Sequence, residues 1–134
     1  NTGRSQFAGA GTQTAALAFG GASASDATEE YDGSSWTNAT GLPSGRAYLA
    51  GFGIQTAAIT VGGLPSPHKP LTQEYDGTSW TSKADLATGR AEGGGAGTTS
   101  SGIYFGGSPG PAGVTTTEEF TGAVNVALKI TTST

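Results

Sequence analysis

GAGTQTAALAFGG at residues 9–21, GFGIQTAAITVGG at 51–63 and GAGTTSSGIYFGG at 95–107 are three versions of one phrase, an apolar run closed by a double glycine. A Gly-Arg pair precedes each: Gly3-Arg4, Gly45-Arg46 and Gly89-Arg90, spaced by 42 and 44 residues. Downstream stand Glu30-Tyr31-Asp32-Gly33, Glu74-Tyr75-Asp76-Gly77 and the looser Glu119-Phe120-Thr121-Gly122, with Trp36 and Trp80 each five residues past the tyrosine. Four markers in constant order at near-constant spacing define an internal repeat. The chain divides into units of approximately 3–44, 45–88 and 89–134 within a single segment, 1–134.

The grammar inside each unit is that of short strands. Residues 16–19, 58–61 and 103–105 are apolar runs flanked by glycine, a pattern of buried strands rather than helices. The 24 glycines among 134 residues also disfavour long helices, since an interior glycine costs about 1 kcal/mol there relative to alanine. Asp32-Gly33 and Asp76-Gly77 lie between a run ending in tyrosine and a run starting with tryptophan, which is a hairpin signal. In the first unit the strands are expected near 6–11, 15–19, 28–31 and 35–39. A single four-stranded sheet cannot cover both of its faces, so each unit must stack on its neighbours.

A Gly-Arg opening, a double glycine after the second strand, and a Tyr and a Trp in the third and fourth strands resemble the kelch repeat of β-propellers. The resemblance runs from Gly3 to about Gly122. It implies an all-β fold: three kelch-like, four-stranded antiparallel blades forming an incomplete ring, completed by oligomerisation or by further blades. The phrases around 8–21 and 28–37 are similar to kelch-like repeats in structural proteins of tailed bacteriophages.

Structural roles for the motif residues follow from physical chemistry. Gly20, Gly21, Gly62, Gly63, Gly106 and Gly107 allow positive φ and close backbone approach after a buried strand. Tyr31, Trp36, Tyr75, Trp80 and Phe120 offer large areas to bury between blades. Arg4, Arg46 and Arg90 are expected to bond backbone carbonyls, or a carboxylate such as the recurrent Glu30, Glu74 and Glu119. The third unit departs from the pattern, with Asn125 at the tryptophan position. There Val124, Val126, Leu128 and Ile130 alternate with more polar residues, so 123–134 is expected to be a terminal strand.

Composition excludes several function classes. With no cysteine, disulfides, thiolate metal sites and cysteine nucleophiles are absent. Six basic against ten acidic residues give a net charge of −4, which argues against nucleic acid as a partner. No apolar run approaches the ~20 residues of a membrane helix. The chain starts at Asn1 and has no methionine, from which a piece of a longer protein is expected.

Candidate chemistry is sparse. His68 stands in a proline-rich stretch with no acidic residue within five positions, and reads as a loop histidine. Asp26, Glu29, Glu30 and Asp32 could supply oxygen ligands to calcium, but turn chemistry and surface carboxylates explain them better. Residues 93–97 (GGGAG) lack the Lys-Ser/Thr and helix of a phosphate cradle. Glu92 with Asp85 is the remaining carboxylate pair, read as solvated. No catalytic residue, metal site or cofactor is therefore expected.

The units differ most in the connection after the double glycine, 22–27, 64–72 and 108–116, the last two carrying five of the six prolines. Pro65, His68, Lys69, Pro109 and Pro111 are the candidate binding-loop residues, because variable loops on a rigid scaffold are where recognition sits. The expected function is a non-enzymatic structural or adhesive module of a phage virion, such as a tail, fibre or capsid-surface component, located on the virion or outside the cell. Expected partners are a second copy or further blades, other virion proteins and surface glycans. The alternative is a kelch propeller for protein–protein interaction in a cellular protein.

Overall fold

The computed structural model describes residues 3–122 and 129–131. Twelve strands follow one another among them: β1 (Ala8–Thr12), β2 (Ala15–Phe19), β3 (Thr28–Tyr31), β4 (Trp36–Ala39), β5 (Ala50–Ile54), β6 (Ala57–Val61), β7 (Thr72–Tyr75), β8 (Trp80–Ser82), β9 (Gly94–Gly97), β10 (Gly102–Phe105), β11 (Thr117–Phe120) and β12 (Lys129–Thr131). They form three four-stranded antiparallel meanders, β1–β4, β5–β8 and β9–β12, one for each sequence unit. β1 lies beside β5 and β5 beside β9, so the first strand of every sheet is innermost and the sheets radiate from a common axis.

Each strand has a local cause. The apolar runs ahead of the double glycines become β2, β6 and β10, the second strand of each blade. The Asp-Gly turns close the β3–β4 and β7–β8 hairpins through side-chain caps. Asp32 Oδ1 accepts from the backbone N–H of Ser34 and Ser35 at 2.8 and 2.9 Å, and Asp76 Oδ1 from Thr78 and Ser79 at 2.8 and 2.7 Å. Only the glycine of each pair has positive φ, so these are four-residue capped loops rather than two-residue turns. The four hydrogen bonds hold both exposed carboxyls well below the usual carboxylate range.

The apolar side chains gather between sheets, not within them. Leu17 and Phe19 of the first blade join Leu49, Ala58, Tyr75 and Trp80 of the second in one buried cluster. Phe52, Ile59 and Val61 of the second join Tyr104 and Phe120 of the third in another. A thin sheet with two apolar faces has no interior of its own, and adjacent blades supply it. Tyr75, Trp80 and Phe120 lie in these clusters between blades.

Two expected boundaries move. β1 begins at Ala8 rather than residue 6, because Gln6 takes a left-handed φ of 60° and cannot join the ladder. β4 begins at Trp36 rather than 35, because Ser35 closes the capped turn. Of the terminal strand expected over 123–134, Lys129–Thr131 pairs with β11 and completes the third blade. Val124, Val126 and Leu128 lie outside the described residues.

Candidate functional site

In an antiparallel meander the connections alternate between two ends. The tight hairpins therefore occupy one end of the axis, while the β2–β3, β6–β7 and β10–β11 loops share the other with the chain's crossings between blades. This second end carries the loops singled out from the sequence. Pro65, Pro109 and Pro111 are exposed there, and His68 and Lys69 are half-buried.

The loops are stitched down by backbone bonds. Gly21 N–H donates to the Arg46 carbonyl at 2.8 Å and Gly63 N–H to that of Arg90 at 2.8 Å, tying the first two double glycines to the next blade. Within the second loop Lys69 N–H donates to the Gly63 carbonyl at 2.8 Å, and within the third Val114 N–H donates to Gly107 at 2.9 Å. The double glycines all have positive φ, from 66° at Gly106 to 135° at Gly21, as their position after a strand requires. The glycine of the Gly-Arg pair has a different reason. A Cβ at Gly45 or Gly89 would lie 1.9 or 2.0 Å from the carbonyl oxygen of Ala24 or His68, so the preceding loop rests directly on that backbone.

The arginines fix the loops from beneath. Arg46 Nη1 donates to the carbonyls of Gly62 and Leu71 at 2.7 and 2.9 Å, and Arg90 Nη1 to those of Gly106 and Thr116, both at 2.9 Å. One guanidinium thus grips both ends of its own blade's loop, and Arg4 reaches the Ala27 carbonyl in the same way. The expected carboxylate partner is corrected by one residue. Arg90 pairs with Glu118 at 2.7 Å and Arg46 bonds the neutral Gln73 at 2.7 Å, while Arg4 forms an ion pair with Glu29. Strand alternation puts 29, 73 and 118 on the arginine's side and turns 30, 74 and 119 to the opposite face. Arg46 is buried without a bonded carboxylate, and desolvation pushes its pKa down to about 10 against the opposing charge of Asp85. Arg90 also stands 4.8 Å from the centre of the Tyr104 ring.

A feature absent from the sequence reading lies at the axial mouth. Gln6, Tyr48 and Glu92 occupy one equivalent position, two residues after each arginine, and all three are left-handed, with φ of 60°, 54° and 62°. Tyr48 N–H donates to the Gln6 carbonyl and Glu92 N–H to the Tyr48 carbonyl, both at 2.9 Å, forming a backbone collar around the axis. Gln6 and Glu92 are exposed and Tyr48 is half-buried. Beside Glu92, an open cleft of roughly 510 Å³ is bounded by the third loop, including Ser108, Gly110, Pro111 and Thr115. Three chemically unlike residues carry no common letter, so only their offset from the arginines could have marked them.

The acidic cluster is dispersed: Glu29 pairs with Arg4, Glu30 accepts from the Tyr75 hydroxyl at 2.8 Å, and Asp32 caps its turn. Asp85 accepts from the backbone N–H of Thr72, whereas Glu92 belongs to the collar. Residues 94–97 of the glycine run form strand β9. Among the described residues, no group of three or more His, Asp or Glu is placed to hold a metal ion.

No family model matches the chain, and no curated protein matches it. Among solved structures, that of YjhT matches 97% of this chain with a TM-score of 0.78 at 17% identity, and the chain spans 46% of the YjhT chain. At that identity the likeness is one of fold, and with the radial sheets described above it makes this chain a three-blade segment of propeller architecture.

Proposed function

We propose that this chain is a non-catalytic recognition module, a kelch-like structural or adhesive propeller segment of a phage virion whose loop face binds surface glycans. The observation that supports this reading is the gathering of the collar and all three variable loops at one end of a rigid scaffold. Tyr48 offers an aromatic side chain, Gln6 and Glu92 offer hydrogen-bonding groups, and the third loop, with Pro111, borders Glu92. An aromatic plane flanked by polar groups suits a sugar ring, which has apolar faces and a hydroxylated edge. The phage setting draws on the phrasing of the repeats alone.

A glycan array probed with the labelled 134-residue chain tests the proposal. Selective retention is expected, with at least a tenfold loss on Tyr48→Asn, a substitution that keeps a residue tolerant of the left-handed backbone. Retention unaffected by Tyr48→Asn and Glu92→Ala together, or binding to proteins with none to glycans, would overturn it. The second of these outcomes would favour the cellular interaction propeller.

A further inference from the structure

The three blades differ in burial at equivalent positions according to whether a neighbour is present. Leu17 and Phe19 face the second blade and are 1% and 0% exposed, whereas their third-blade equivalents, Ile103 and Phe105, are 39% and 44% exposed. On the opposite flank Leu49 packs against Gly20 of the first blade and is 6% exposed, while its first-blade equivalent, Phe7, is 47% exposed. Among the described residues, three of the four exposed large apolar side chains thus lie on the two outer flanks. Gly3 tells the same story, since nothing comes within 4 Å of a Cβ built there, although the equivalents Gly45 and Gly89 are pressed against the preceding loop. The Arg4–Glu29 pair likewise borders an open cavity of roughly 600 Å³, whereas Arg46 is fully buried.

We infer that the outer flank of the third blade docks onto the first blade of a second copy of this chain, so that two copies close a six-blade ring through two identical seams. The seams within the chain specify the contacts. Tyr75 donates to Glu30, so Tyr31 meets Glu119 of the second copy. Trp80 stands against Phe19 and donates to Thr28 Oγ1, so Trp36 meets Phe105 and Thr117. Gln55 Nε2 donates to the carbonyls of Ala16 and Tyr31, so Gln13 reaches those of Gly102 and Phe120. The collar closes in the same sense, Gln6 N–H donating to the Glu92 carbonyl. A second copy is the occupant that these flanks describe, because the Gln13, Tyr31 and Trp36 donors of the first blade match acceptors on the third in the pattern of the seam between the first and second blades. This inference is independent of what the loop face binds.

Sedimentation equilibrium or native mass spectrometry of the 134-residue chain tests it. The protomer is 13.1 kDa, and a species of twice that mass is expected. Phe105→Glu changes a residue already exposed in the protomer, so it should yield a monomer with an unchanged far-UV spectrum. Tyr31→Phe and Glu119→Gln should each raise the dimer dissociation constant at least tenfold, and the double variant should be no weaker than the worse single one. A folded monomer at micromolar concentration, a trimer or open-ended polymer, or a dimer indifferent to Phe105→Glu would each overturn the inference.

Discussion

Trp80 stands edge-on to Phe19 with ring centroids 5.1 Å apart and planes inclined by 69°, so the outer strand of one blade completes the interior of the blade before it. Its indole Nε1 donates across the same seam to Thr28 Oγ1 and the Thr40 carbonyl at 3.2 and 3.1 Å. Trp80→Ala therefore opens a cavity and strands two acceptors. It should cost about 3–5 kcal/mol, read from the urea unfolding midpoint, and a loss under 1 kcal/mol would contradict the shared interior.

The third unit has Asn125, not tryptophan, at the matching position. Thr72, equivalent to Thr28, has a buried hydroxyl with no partner among the described residues. Thr72→Val should be neutral or stabilising, since it removes an orphaned polar group, whereas Thr28→Val should cost about 1 kcal/mol. Equal costs for the two would show that the tryptophan bond contributes nothing.

The buried arginines separate charge pairing from hydrogen bonding. Glu118→Ala leaves the Arg90 guanidinium buried without its carboxylate and should cost about 3–5 kcal/mol. For Arg46 the sign is also fixed: a base whose folded-state pKa is lowered destabilises the fold at every pH below that value, here about 10. Gln73→Glu supplies the missing carboxylate and should raise the unfolding midpoint at pH 7. A lowered midpoint would mean that desolvating the new charge outweighs the pairing.

How far the sequence could be read is clearest around these arginines. Glycine spacing and the apolar runs, repeated three times, and the Tyr-to-Trp interval, repeated twice, located the blades because each reflects local backbone geometry. Which of two adjacent glutamates meets the arginine depends on strand register, and Glu29-Glu30 and Glu118-Glu119 offer the same letter on both faces. Gln73 in the second unit was the available sign, a substitution at the inward position. The collar was hidden for a different reason. Gln6, Tyr48 and Glu92 take their left-handed backbone from contacts between blades, not from a residue preference.

Acid should loosen the outer hairpins first. Asp32 and Asp76 have depressed folded-state pKa values, so their contribution is fully present above the unfolded value of 3.8 and is lost as pH falls below it. Unfolding midpoints measured from pH 6 to pH 2.5 should drop more in the parent than in the Asp32→Asn, Asp76→Asn double variant, whose side chains keep a neutral acceptor oxygen. Parallel curves would assign the acid sensitivity elsewhere.

The placement of the interior between blades, not within them, is tested most directly by the amide proton spectrum of the isolated second unit, residues 45–88. That peptide keeps its Arg46 clamp and both hairpins but loses both seams, so narrow dispersion and no cooperative thermal transition are expected. A well-dispersed spectrum with a sharp transition would show that a single blade carries its own core.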